Sequence, residues 1–295
     1  MMPRTSKLIL AAVSLIFIVV AISLFTAARS QSSTGLEKPS ALPQPRSYLG
    51  FDRNDYPGDA AVPILRKSFS FTGYWLSPPP GAKQNSWTGK RELFRSQGFG
   101  FALLFAGPTS GKLRDEPYTL KRVAEDTQAA ADAARREGFP SGSIIFLDVE
   151  EGGRLPSTYF TYLKLWASEL ARLGFRAGIY CSSIPIDEGE GLTLITSDFI
   201  RAKIAPAELV YWVYNDACRP SPGCVVPRNP PRPSQSGISY AKVWQFVRSP
   251  RDKETAVHCS GYARDGHCYV PGDTAHTWFL DMNAATSPDP SGAAK

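Results

Sequence analysis

Asp148 and Glu150 end the run Ile144-Ile145-Phe146-Leu147-Asp148-Val149-Glu150, and packing gives no reason for a buried apolar segment to finish in two acids. The run is short, β-branched and aromatic, and follows Pro140, Ser141 and Gly142, so it reads as a buried parallel strand rather than a helix. Side chains alternate along a strand. Ile144, Phe146, Asp148 and Glu150 therefore share one face, with roughly 6 to 7 Å of rise between the two acidic Cα atoms. Acids so placed repel each other or share a task, and the spacing suits an acid/base pair at the mouth of an α/β fold. Satisfaction by a nearby arginine or a helix start would explain one such acid more readily than two.

The frame needed to position them is legible in outline. Apolar runs at 48–52, 71–76, 99–106, 144–149, 176–181, 208–214, 241–246 and 277–281 read as eight strands. Helices are expected at 60–67, at 89–96 with Thr88 as N-cap and Gly98 as stop, at 119–137, at 157–173 and at 193–204. Beyond residue 204 the alternation of strand and helix ceases. Eight strands in about 240 residues imply an α/β fold, an irregular TIM-type (β/α)8 barrel whose last three strands lack full helices. Strand C-termini gather at one mouth of such a barrel. Asp52 follows the first strand, Asp148 and Glu150 the fourth, and Asp281 the eighth, where Phe279 and Asp281 share a face. Tyr74, Trp75, Tyr180, Trp212, Tyr214 and Trp244 lie on the same set of strands. About half should fill the barrel, and the rest would offer aromatic faces on which sugar rings stack.

The 295 residues are 43% hydrophobic, enough for one large core. Leu8 to Ala28 is free of charge over 21 residues behind Arg4 and Lys7, and is expected to be a membrane helix or a signal segment. Residues 1–29 are thus read as anchor or signal, 30–47 as a Ser/Pro-rich linker, 48–283 as the barrel, and 284–295 as a disordered tail. The bulk is placed outside the cytoplasm, membrane-anchored or, if the segment is cleaved, secreted. The formal charge is +6, but the first 29 residues hold three of the 33 cations and none of the 27 acids. The rest carries 30 cations against 27 acids, a net +3, which argues against nucleic acid. Gly107 to Lys112 looks like a phosphate loop but is one residue short between its glycines and lacks the following Ser or Thr. Local spacing in an oxidising compartment predicts Cys218–Cys224 and Cys259–Cys268 disulfides, with Cys181 a buried free thiol.

Gly50-Phe51-Asp52, Phe146-Leu147-Asp148-Val149-Glu150, Ala177-Gly178-Ile179-Tyr180, Val243-Trp244-Gln245 and Phe279-Leu280-Asp281-Met282-Asn283 occur in the order seen in family 25 glycoside hydrolases, the muramidase-type lysozymes. The chain resembles still more a bacterial family of glycoside-hydrolase-like domains that share the opening Gly50-Phe51-Asp52-Arg53. The resemblance spans 48–283 and implies an irregular barrel acting on a cell-envelope glycan of peptidoglycan type. It implies Glu150 as proton donor, Asp52, Asp148 and Asp281 as the acids around it, and Gln245 beside the aromatics as a substrate contact. Strand three departs from the lysozymes: only Phe105 remains of their aromatic-x-Phe signature. The loops 216–240 and 247–276 are expected to reshape or cover the cleft.

Glycoside cleavage needs one acid to protonate the leaving oxygen and a second group to face the oxocarbenium-like centre. Clustered acids raise one another's proton affinity, so Glu150 is expected to stay protonated while one of the aspartates stays ionised. On an N-acetylated sugar the acetamido oxygen can attack instead, oriented by an Asp two residues before the donor. No cofactor is implied, and the barrel is expected to be a monomer. One rival is a non-catalytic carbohydrate-binding barrel that keeps the acids as hydrogen-bonding groups, and another is a purely structural envelope protein. A metal site built from His258-Cys259, His267-Cys268 and His276 is a third, set aside because the two cysteines more simply pair with each other.

Overall fold

The structure, a computed structural model, describes residues 46–218, 227, 229–250 and 278–294. The chain divides into two units, Met1–Gln44 and Pro45–Lys295, and every described residue belongs to the second. The predicted membrane segment lies outside the described residues, among which no helix is long and apolar enough to cross a membrane. Cys224, Cys259 and Cys268 lie outside them too. Of the other two cysteines, Cys181 is free and buried, and Cys218 is disulfide-bonded.

The first three strands are β1 (Tyr48–Asp52), β2 (Phe71–Trp75) and β3 (Gly100–Ala106), and the next two are β4 (Ile144–Val149) and β5 (Arg176–Ser182). A hairpin of β6 (Pro185–Asp187) and β7 (Thr193–Ile195) comes next, then β8 (Val210–Cys218), β9 (Val243–Val247) and β10 (Asp281–Ala285). Eight of these close a barrel in the order β1-β10-β9-β8-β5-β4-β3-β2. The helices are α1 (Val62–Leu65), α2 (Arg91–Ser96), α3 (Glu116–Arg136), α4 (Ser157–Arg172) and α5 (Thr196–Arg201). Only α3 and α4 are long, and they pack together through the Tyr162 hydroxyl, which donates to Asp126 at 2.7 Å.

Several predicted boundaries move, each for a local reason. α3 begins three residues before its expected start because Asp115 caps it, accepting from the Tyr118 N–H at 2.8 Å, and Pro117 suits a first turn. Thr88 does not cap α2, whose N-cap is Lys90 with no side-chain bond. The segment expected to be helical from 193 pairs first as β7, and α5 covers Thr196–Arg201 alone.

The expectation that all strands run parallel fails at the last one. β10 is antiparallel to both β1 and β9, and it starts at Asp281 where the predicted strand ended. An apolar pattern carries no direction, so the reading had the strand one length too early. The acid nevertheless reaches the same mouth, because the antiparallel register sets Asp281 opposite Asp52.

The segment read as a disordered tail is packed. Residues 284–285 complete β10, and residues 286–294 fold under the other end of the barrel. Asp289 accepts from the Phe101 N–H, Ser291 Oγ from the Leu103 N–H, and Ser291 O from the Ile144 N–H, each at 2.9 Å. A side chain at Gly100 would collide with the Pro288 carbonyl oxygen and with Asp289, so the strand there is bare by necessity.

Candidate functional site

Asp52 closes β1, and Gly73 on the neighbouring β2 gives it room: a Cβ at Gly73 would stand 2.5 Å from that of Asp52. Asp148 lies on β4, in register with Ala106 on one side and Tyr180 on the other. Glu150 follows β4 and is exposed, its backbone carbonyl held by the Tyr214 hydroxyl at 2.9 Å. The next residue fixes the same loop, since Glu151 accepts from the Ser110 N–H at 2.9 Å. A cleft of about 580 Å³ opens at this mouth and is lined by Asp52, Glu150 and Asp281 among others. Beneath it an annex of about 50 Å³ reaches Asp148. The structure thus brings all four predicted acids to one place, two of them lining both spaces with Asp281.

Asp148 is 4% exposed, and among the described residues neither of its carboxyl oxygens has a hydrogen-bond partner. Its walls in the annex include Trp75, Leu104 and Trp212. Burial first, then the negative Glu150 and Asp52, push its carboxyl well above the usual range. Asp52 is raised the same way, by burial and then by Asp281, against a lowering hydrogen bond from Asn283. Asp281 is pushed up to about 6 by burial, moderated by the Ser249 N–H at 2.7 Å and by Arg248. Of the three aspartates, one of which was expected to stay ionised, Asp281 is the least resistant to ionising, while Asp52 and Asp148 are driven toward the protonated form.

These shifts have a sign that experiment can read. Asp281 binds its proton more tightly in the folded state, with a pKa of about 6, than in an unfolded chain near 3.8. Its contribution to stability is complete below the lower value and is lost as pH rises through the higher one. Asp52 and Asp148 act in the same direction. Asp281→Asn, which cannot ionise, is expected to melt above the unchanged chain at about pH 8, with the difference closing toward about pH 4. Melting curves across that range check this, and a variant that melts lower at the alkaline end would refute it.

The predicted contacts separate. Tyr180, Tyr214 and Gln245 line the cleft, Trp75 and Trp212 line the annex, and Tyr74 and Trp244 line neither. Tyr180 and Tyr214 stack at 5.0 Å, and the Tyr180 hydroxyl donates to Gln245 at 2.9 Å. Tyr74 is a correction: it is fully buried, its hydroxyl lies 2.6 Å from both the Trp87 carbonyl and Glu137 with one proton to share between them, and it sits edge-on to Phe101 and Phe139. Trp244 is a second. Its indole N–H donates to Asn215 at 2.8 Å, and Asn215 in turn donates to the Ser236 carbonyl at 3.1 Å. That contact pins a register shift between β8 and β9, where Asp216 adopts φ 49° and lines the cleft.

Residues not singled out from the sequence complete the mouth: Arg53, Asp216, Arg248 and Ser249 line the cleft, and Asn283 lies behind Asp52. Arg53 follows Asp52 directly, and Asn283 is two residues from Asp281 on the same strand face, so strand alternation was the available signal. Among the described residues no group of His, Cys, Asp and Glu is arranged to hold a metal ion, and His258, Cys259, His267, Cys268 and His276 lie outside them.

Residues 76–219 match the family model of the Rv2525c-like, glycoside hydrolase-like domain. That span holds Asp148 and Glu150 but neither Asp52 nor Asp281. No curated protein sequence matches the chain. Among solved structures, an uncharacterised protein of B. stearothermophilus is similar at 18% identity over 81% of this chain and 95% of its own, with a TM-score of 0.52. The Mycobacterium tuberculosis Tat-secreted protein Rv2525c, in complex with L-tartrate, is similar at 14% identity over 85% of this chain and 100% of its own, with a TM-score of 0.49. A family 25 glycosyl hydrolase from Bacillus anthracis shows 10% identity over 81% of this chain and 89% of its own, with a TM-score of 0.46. The likeness to the B. stearothermophilus protein is one of fold.

Proposed function

We propose, from the premise that residues 76–219 carry an Rv2525c-like, glycoside hydrolase-like domain, that the chain cleaves a cell-envelope glycan of peptidoglycan type in the cleft at the barrel mouth. The observation that carries this reading is the convergence of Asp52, Asp148, Glu150 and Asp281 on one cleft and its annex, from strands far apart in sequence. Glu150, exposed at the cleft, protonates the leaving glycosidic oxygen. Asp281, titrating at about 6 and thus ionised at neutral pH, supplies negative charge opposite the oxocarbenium-like centre. Asp148 has two oxygens without a hydrogen bond among the described residues and stands two residues before the donor, the position from which an acetamido group of an N-acetylated sugar would be oriented. The stacked Tyr180 and Tyr214 give the sugar an aromatic wall. Export past the cytoplasmic membrane rests on the charge-free segment Leu8 to Ala28.

Incubating the purified chain with peptidoglycan and with other envelope glycans, then assaying new reducing ends, tests the proposal. Release of reducing ends from at least one glycan is expected. Saturable binding without any release would instead establish the non-catalytic carbohydrate-binding barrel, with the acids serving sugar hydroxyls.

A further inference from the structure

Asn283 lies at the centre of β10, fully buried, and joins two groups of the site. The Trp212 indole Nε1–H donates to its Oδ1 at 2.8 Å, and its Nδ2 donates to Asp52 Oδ1 at 2.6 Å. The two ends of an asparagine amide are alike in shape, so its partners decide which way it faces. Here the decision is forced. An indole N–H only donates, so the amide oxygen must face Trp212 and the NH2 must face Asp52. An amide N–H also only donates, so Asp52 Oδ1 must accept, and a proton on Asp52 is favoured on Oδ2, because a hydroxyl oxygen is the weaker acceptor of that bond.

We propose that Trp212 and Asn283 form a one-directional hydrogen-bond relay that biases the proton of Asp52 toward Oδ2, which makes Asn283 a positioning residue for Asp52. The relay deepens the reading of Asp52 as a site acid, yet its operation requires no turnover. Around Asp52 stand Asp281 on β10, Asp148 on β4, Glu150 beyond it, Tyr180 on β5, and the adjoining Arg53. Burial and the negative Asp281 and Glu150 favour protonation of Asp52, and the Asn283 bond opposes them. Trp212 is itself held edge-on between Phe146 at 5.6 Å and Tyr180 at 5.2 Å, so the direction of its N–H is fixed by packing. Without that N–H the amide is held only through its Nδ2, by Asp52 at 2.6 Å and the Asp281 carbonyl at 3.5 Å, and nothing requires its oxygen to stay turned toward Trp212. Its oxygen would then face a carboxyl oxygen of Asp52, an arrangement tolerable only with the proton on Oδ1.

Carboxyl titration by NMR, on the full chain labelled in its aspartate carboxyl carbons, tests this. In the unchanged protein the Asn283 Nδ2 protons are expected to shift in step with the titration of Asp52. Side-chain protons indifferent to that titration would overturn the relay. In Trp212→Phe, which keeps a ring against Phe146 and Tyr180, Asp52 is expected to titrate about one pH unit higher, and in Asn283→Leu at least as much. A folded Trp212→Phe protein whose Asp52 titrates as in the parent would also overturn it, because a packing role alone lowers the melting temperature without moving the titration. Failure to cleave any glycan would defeat the hydrolase reading and leave these measurements unaffected.

Discussion

Glu150→Gln is expected to reduce glycan turnover by about 10²- to 10⁴-fold while the protein folds as before. The amide keeps the shape and the polar surface of the side chain but has no proton to deliver to a leaving oxygen. Glu150 is exposed, and its loop is held by groups that the substitution leaves in place: the Tyr214 hydroxyl on its backbone carbonyl and Glu151 on the Ser110 N–H. A substitution at such a position changes stability by about 0.5 kcal/mol or less, so lost rate and lost fold are separable. Initial rates of reducing-end release, with a melting curve on the same preparation, make the comparison. Binding should survive, since the amide keeps the shape of the side chain that lines cleft and annex and the Tyr180–Tyr214 stack is left in place. A folded Glu150→Gln protein that cleaves at the parental rate removes Glu150 from the donor role.

The acids of the site were legible because they obey a local rule. Strand alternation puts Asp148 on the inward face with Phe146, and the run before it is too short and too branched to be a helix. The same rule shows why the aromatics were half legible. Tyr74 and Trp75 are adjacent on β2, as are Trp244 and Gln245 on β9, so in each pair only one member can face the barrel interior. The register settles which: Trp75 pairs with Leu104 and Leu104 with Phe146, a row that leads to the annex, while Tyr74 is left to the outer layer. Register is a property of neighbouring strands and is not written in either one. The direction of β10 was illegible for a related reason, since pattern and composition read alike from both ends. Alternation could place Asn283 on the face of Asp281, but its tie to Trp212, 71 residues away, is a contact between strands that neither strand's sequence carries.

Ending the chain after Ala285 is expected to lower the melting temperature by roughly 10 to 15 °C, although the residues removed look dispensable. They are small and polar, and their value lies in backbone bonds that leave no hydrophobic signature. β4 starts at Ile144 and pairs with β3 only from Leu103 onward, so the first residues of β3 lack a neighbour on that side. Ser291 fills the gap, donating to the Phe101 carbonyl at 2.8 Å and accepting from the Leu103 and Ile144 N–H groups, while Asp289 accepts from the Phe101 N–H. Phe101, Leu103 and Ile144 are all buried, so truncation strands three donors and one acceptor at the end of the barrel away from the cleft. Each buried group left unsatisfied costs about 1 to 3 kcal/mol, less where water can enter, for a loss of roughly 4 kcal/mol in all. Against a total stability of about 5 to 15 kcal/mol that is a large share. The double variant Asp289→Ala, Ser291→Ala removes only the two side-chain acceptors and should fall between the truncated and unchanged chains. Thermal melts of the three proteins decide the matter, and a truncated chain that melts with its parent would return the segment to the status of a tail.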